Sequence, residues 1–429
     1  MQKLVFLLVL FAIAYAAETC LETCARVCYS AACQYPCQQK CTSSVQPAEK
    51  PYFTLEHVQS FPPGTVITGS DAPAKVKGGL LYFTTLSGQI YRYNQTSEHM
   101  KVMYTVPRQT IDTSHDKGLY DIAMHRDYNN NGRVYIHYAA KPTADSEDMF
   151  VDHDNVIAEL EFSGIGFNFI REVKRIPQLS KERSGGWATM GLRQGILSGK
   201  AYLYVAVGGN KEEVAIRNEV TPELSTIYAL ADPDDPENDE EFVWASGVKN
   251  PIDCAASVFK AGRIQCLVED LDHNRHVLSL HKGYNYGSEE FVQQCAGLAC
   301  RQQRNQLLSK DALVTFQSKE CPVRSMQIYT GHDMRNYHSS VFLSRDACYD
   351  AQKQEFVGSE ILRIYRDHYK ATYKTIAMPT TMLDDMLVNT TLVGGDRLDQ
   401  IYIAGFAVRS GETVLYRIVP TELARFWSV

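Results

Sequence analysis

The chain has 429 residues, a formal net charge of −7, 45% apolar side chains and 22% charged ones. Ordinary globular composition with net acidity and no Lys/Arg run argues against a nucleic-acid binder. The length exceeds one small core and suits a large all-β domain with an appendage.

Residues 1–17, MQKLVFLLVLFAIAYAA, place Lys3 before an apolar run from Leu4 to Ala14 and small residues at Ala14 and Ala16. That pattern predicts a secretory signal peptide cleaved after Ala16 or Ala17, hence a secreted, extracellular protein. An uncleaved anchor is the rival reading, but the run is short for a span and no later stretch is long and apolar enough. Twelve cysteines in an exported chain imply disulfides.

Six of these, Cys20, Cys24, Cys28, Cys33, Cys37 and Cys41, advance in steps of four, four, five, four and four within residues 18–42. A step of four returns to one helix face, so the spacing predicts two short antiparallel helices turning at Tyr29 to Ala32. Nested pairing follows from that geometry: Cys20 with Cys41, Cys24 with Cys37, Cys28 with Cys33. Helices this short are marginal without such links. A zinc cluster is the rival, yet the segment has no histidine. A stapled module of this kind serves as a spacer, a partner contact or an oligomerisation element. Residues 43–51 read as a linker.

From 52 to 420 the punctuation is β-like, and residues 421–429 form a tail. Aromatic and β-branched runs recur, as at Leu80–Phe83, Gln89–Tyr93, Val156–Leu160, Ala201–Val205, Glu360–Ile364 and Val414–Ile418. Lys117 to Ala140, KGLYDIAMHRDYNNNGRVYIHYAA, reads as strand, tight Asn/Gly reversal, strand. An L-Y strand followed by an I-Y-R strand occurs at Leu81 to Tyr93, and a related pair spans Ile401 to Ile418. About 370 residues divide into six units of about 62, which favours a six-bladed propeller over a pair of β-sandwiches. The sequons at Asn94 and Asn389 fit a secretory route as glycosylation sites.

GLYDIAMHRDYNNNGRVYIHY resembles the strand-turn-strand signature of the soluble glucose/sorbosone dehydrogenase family, approximately GLLGIAFHPDFxxNGRVYVYY. Trp244–Pro251 resembles its WAxGLRNP, Lys282–Gly287 its KGGNYG and Leu415–Pro420 its closing LYRIxP. The resemblance implies an all-β six-bladed β-propeller, here preceded by a small disulfide-stapled helical hairpin. Within that superfamily the cysteines resemble those of the secreted hedgehog-interacting-protein-like branch. That likeness implies a hairpin disulfide between Cys254 and Cys266 and a short loop pair between Cys295 and Cys300. Cys321 and Cys348 remain to pair with each other.

The resemblance also implies a quinone cofactor, PQQ, held with calcium on the propeller axis and served by a histidine in an H-x-x-G segment. Arg183 stands in that histidine's place. A guanidinium keeps its protons and has no acceptor lone pair, so it cannot act as a general base. Lys249 replaces the arginine of the family's RNP motif and lacks its planar fork. Asp116 stands at the enzymes' glutamine, and Gly208-Gly209-Asn210 lacks the acid of a GxGD turn. Glu269, Asp270 and Asp272 form a carboxylate cluster able to take calcium, with a solvated acidic turn as the simpler reading. His125 and His137 are a candidate metal pair across their hairpin, against the commoner case of separate histidines. The acidic run from Asp232 to Glu241 reads as an exposed loop.

Three functions remain in play. The leading expectation is a secreted, non-catalytic propeller that binds a protein or glycan partner and carries no cofactor. The alternative is a PQQ- and calcium-dependent sugar dehydrogenase whose base has moved to His115 or Asp116; a histidine or carboxylate facing the central pocket near Lys249 would favour it. The third is an adhesive or structural protein assembled through the cysteine-rich head.

Overall fold

In the computed structural model the described residues are 53–73, 79–143, 151–178, 185–192, 201–209, 225–231, 241–248, 250–256, 263–270, 273–284, 286, 312–317, 321–329, 337, 340–350, 355–367, 370–377, 383, 386–394 and 400–420. The signal peptide, the cysteine-rich head, the linker, Cys295, Cys300 and the acidic run from Asp232 to Glu240 lie outside them.

Six four-stranded antiparallel sheets form the blades of a propeller. Blade 1 is β2 (Ile67–Asp71), β3 (Leu80–Thr85), β4 (Gln89–Asn94) and β5 (His99–Thr105). Blade 2 is β6 (Leu119–Met124), β7 (Arg133–Ala140), β8 (His153–Phe162) and β9 (Phe167–Gln178). Blade 3 is β10 (Gly185–Leu192), β11 (Ala201–Val207), β12 (Thr226–Ala231) and β13 (Phe242–Ser246). Blade 4 is β14 (Asn250–Ala256), β15 (Arg263–Glu269), β16 (Arg275–His281) and β17 (Ala312–Phe316). Blade 5 is β18 (Val323–Tyr329), β19 (Ser340–Arg345), β22 (Glu360–Asp367) and β23 (Lys370–Ala377), with a hairpin β20 (Cys348–Asp350) and β21 (Glu355–Val357) inserted. Blade 6 takes β24 (Leu387–Val393), β25 (Ile401–Ala407) and β26 (Glu412–Pro420), then closes with the first strand of the chain, β1 (Phe53–Phe61). The inner strands β2, β6, β10, β14, β18 and β24 neighbour one another in that order, and β24 returns to β2.

The ring shape explains the sequence pattern. Each sheet packs on both faces, so strands inside a blade read as near-continuous apolar runs rather than alternating ones, as in LLYFTT of β3 and AYLYVAV of β11. All six residues of β6, LYDIAM, are buried. One apolar cluster fills each junction: Tyr82 with Ile122 between blades 1 and 2, Ile157 with Val205 between 2 and 3, Trp244 with Leu278 between 3 and 4. Leu267 with Met326, Phe342 with Ile403 and Phe83 with Tyr402 complete the circle.

The reversal between β6 and β7 differs from expectation in one respect. It holds a single helical turn, α1 (Tyr128–Asn131), closed by Gly132 at φ 66°. Burial of Tyr128 explains the turn: its hydroxyl meets that of Tyr82 at 2.8 Å, which a two-residue reversal could not arrange. Cys254 and Cys266 face each other across the β14–β15 ladder and are disulfide-bonded. Cys321 and Cys348 are bonded as well, tying the entry to β18 to the inserted hairpin.

Candidate functional site

An inner strand leaves one row of amides facing the axis or the next blade, and each needs an acceptor. Side chains from a neighbouring blade supply one at all six junctions. Asp71 accepts from the Met124 amide at 2.7 Å, Asp121 from Ala188 at 3.0 Å and Asp253 from Met326 at 2.8 Å. The Ser325 hydroxyl accepts from the Leu392 amide, that of Ser70 from Gly394, and the side-chain oxygen Oδ1 of Asn250 from Gly185. These bonds bring the aspartates together around the axis, beside a narrow cavity of about 50 Å³.

Asp121 is the most constrained of them. Burial pushes its carboxyl well above the ordinary range; the Ala188 and Ile122 amides oppose the rise, and the charges of Asp253 and Asp71 add to it. A carboxyl raised in the native state contributes stability at low pH and loses it as pH climbs from the unfolded value, about 3.9, through the native one. Urea midpoints should therefore fall more between pH 5 and pH 8 in the parent than in Asp121→Asn. The variant should also be weaker at both pH values, because its amide nitrogen must face a backbone N–H. A pH dependence unchanged by the substitution would refute this account.

Toward the end where the inner strands begin, the axis widens into a cavity of about 490 Å³. Its rim includes His115, Asp116, Asn250, Glu269, Arg324 and Asn389. His115 and Asp116 both adopt the left-handed region, at φ 50° and 61°, on the loop entering β6. That loop is held from behind. The Lys117 ammonium, 1% exposed, meets Asp112 Oδ2 at 2.6 Å and also bonds Asp152. Asp112 Oδ1 in turn accepts from the Ser114 amide and hydroxyl. Strained backbone over an over-determined base is how chains hold functional loops.

The other charges of the rim are paired. Glu269 takes Nε and Nη2 of Arg275 at 3.2 and 3.1 Å, and Arg275 Nη1 donates to the Val323 carbonyl. Arg324 Nε donates to Asp346 at 2.8 Å, whose second oxygen holds the Thr390 amide and hydroxyl at 2.7 Å. Arg275 pairs with Glu269 directly across the β15–β16 ladder, a cross-strand signal that shows only once the register of the two strands is known. Nothing in the local pattern marked Arg324.

The sequence-derived candidates fare unequally. Asp116 and His115 line the pocket, as does Asn250, the residue after Lys249. Arg183, Lys249 and Asp272 lie outside the described residues. Glu269 and Asp270 are neighbours whose carboxylates part company: Asp270, 1% exposed, accepts from His276 Nε2 at 2.9 Å and from Asn274. Burial raises Asp270, but His276 and Asn274 outweigh it and leave the carboxyl below its ordinary value. Among the described residues no three acidic, histidine or cysteine side chains gather as metal ligands. His125 and His137, for which separate sites were the commoner expectation and a metal pair the rarer one, stand apart on their hairpin. His137 sits opposite Asp121 and packs on Tyr120, while His125 lies past the far end of β6 beside Asn131 and Tyr135.

No protein of curated function matches the sequence significantly. Among solved structures, a glucose dehydrogenase superimposes with TM-score 0.59 at 16% identity, covering 86% of this chain and 100% of that one. The apo form of the soluble aldose sugar dehydrogenase from Escherichia coli gives 0.57 at 14% identity, with 86% and 100% covered. The PQQ-bound aldose sugar dehydrogenase from Streptomyces coelicolor gives 0.54 at 17% identity, with 87% and 100% covered. At such identities the likeness speaks for the fold. The profile of the glucose/sorbosone dehydrogenase family matches residues 74–345, more than half of the sequence, and the chain belongs to that family.

Proposed function

We propose that this propeller is an exported, non-catalytic member of its family that holds a polyhydroxylated ligand, a sugar or a glycan end, in the axial pocket. One observation carries the reading. The arginines of the rim are committed to carboxylates, Arg275 to Glu269 and Arg324 to Asp346, Asp253 serves the Met326 amide, and amides and hydroxyls of Thr68, Asn250, Ser325 and Asn389 line the space between. Neutral donors and acceptors flanked by paired charges suit hydroxyl groups. The same pairing bears on PQQ, the quinone bound by the Streptomyces relative. Calcium takes six to eight oxygen ligands, and the described carboxylates near the axis other than Asp116 serve arginines, His276 and backbone amides instead. The described residues therefore do not fit a calcium-held quinone. Cys254–Cys266 supports a place in the hedgehog-interacting-protein-like branch, and with it a partner outside the cell.

Titration calorimetry with a panel of mono- and disaccharides should find a ligand whose affinity falls at least tenfold in Asn250→Ala. After incubation with PQQ and calcium, sugar-dependent dye reduction should stay at blank. A panel without binders would overturn the proposal.

Oxidation of a sugar is the second reading, and one observation favours it: an imidazole and a carboxylate, His115 and Asp116, line the same pocket as Asn250. Dye reduction above blank, abolished by His115→Ala, would decide for it.

A further inference from the structure

We infer that Asn389 carries an N-linked glycan and that this glycan stands over the mouth of the axial pocket and restricts access to it. The inference rests on the pocket being the binding site and on export. The sequon Asn389-Thr390-Thr391 falls where β24 leaves register with β25, between Val388 and Thr391. The irregularity turns Asn389 outward: it is exposed, at φ 52°, while Thr390 beneath it is fully buried. The base is fixed on both sides. Thr390 binds Asp346 through its amide and hydroxyl, and the Thr391 hydroxyl donates to the Ile67 carbonyl at 2.8 Å.

Asn389 also lines two cavities at once, the axial pocket of about 490 Å³ and a neighbour of about 290 Å³ shared with Val66 and Ile67. A sugar chain attached there stands on the partition between them, over the mouth of the axis. The other sequon has no such position. Asn94 lies at the β4–β5 turn, at the end of blade 1 away from this rim, where its oxygen accepts from the Thr96 and Ser97 amides.

Attachment forms a bond from Asn389 Nδ2 to the anomeric carbon of the first N-acetylglucosamine. A lipid-linked oligosaccharide is the donor; its lipid diphosphate leaves and Nδ2 gives up one proton.

The full chain, expressed with its own leader in eukaryotic secretory cells, should yield an Asn389 glycopeptide by mass spectrometry. Carbethoxylation of His115 on the same rim should then quicken at least threefold after peptide N-glycosidase treatment, with exposed His57 on β1 unchanged as internal reference. A glycan at Asn94 alone overturns the inference and leaves export standing. Sugar-free peptides at both positions overturn the inference and remove the export reading too. An occupied Asn389 with an unaltered His115 rate overturns the gating role.

Discussion

A Lys117→Ala chain is expected to lose about 3–5 kcal/mol of unfolding free energy, seen as a lower urea midpoint at unchanged slope. The ammonium is 1% exposed and lies between Asp112 and Asp152, 15% and 23% exposed. Its removal leaves two like charges facing each other behind the loop of His115 and Asp116. Burial raises both carboxyls, but the hydrogen bonds and charge of Lys117 outweigh it and hold them below the ordinary carboxylate range. Burial lowers Lys117, but bonds to the two aspartates outweigh it and lift the ammonium above its ordinary value. Depressed carboxyls give stability that is present above about pH 3.9 and disappears as pH falls through their native values. A raised lysine gives stability that is present below about pH 10.4 and disappears as pH rises through its native value. Both limbs should flatten in Lys117→Ala. A triple variant, Lys117→Met with Asp112→Asn and Asp152→Asn, should regain at least half of the loss, since a buried ion cluster replaced as a whole is far less costly than one broken. No recovery in the triple variant, or a single variant as stable as the parent, would contradict the cluster's role.

Gly186→Ala should be comparably damaging, at about 3 kcal/mol or more. Gly186 sits at φ 121°, and a methyl there would come within 2.5 Å of the Tyr120 ring. Tyr120 is wholly buried, so the ring has little room to yield. Conformational strain and overpacking each contribute about 1–3 kcal/mol. Gly164→Ala is the matched control: its φ of 90° is also left-handed, but nothing lies within 4 Å. It should cost only about 1–2 kcal/mol. Equal losses in the two variants, read by thermal or urea unfolding, would dismiss the packing argument. Gly186 is the glycine of the H-x-x-G segment in which Arg183 stands for histidine. Packing against blade 2 accounts for the glycine without any reference to chemistry, so the segment can keep one half of its pattern when the other half has changed.

The blades were legible because burial on both faces writes long apolar runs, as in β6, β8 and β11. The ring's closure was not. β1 lies nearly the whole chain away from β26, and no local pattern tells a strand which sheet it will join. Lys117 was invisible for a similar reason: a lysine in a polar stretch reads as solvated, and one of its two carboxylates, Asp152, arrives from the far side of the β7–β8 connection. Of the site, Asp116 and His115 were legible through the family motif, which fixes their place before β6. Glu269 and Asp270 read either as part of a calcium cluster or, more simply, as a solvated acidic turn, but adjacent residues at a strand end point opposite ways, and each found its own partner. Asn389 was read for its sequon alone; the loss of register that leaves it exposed at the pocket's edge is a property of the ladder.

The β1–β26 ladder carries a mechanical consequence. Eight residue pairs run from Phe53 opposite Pro420 to Phe61 opposite Thr413. The chain enters β1 and leaves β26 at the same end of that ladder. Traction on the two flanking segments therefore peels the seam one bond at a time instead of shearing all of it together. A ring that is stable at rest is thus compliant under tension, and its first yielding point is the clasp of blade 6.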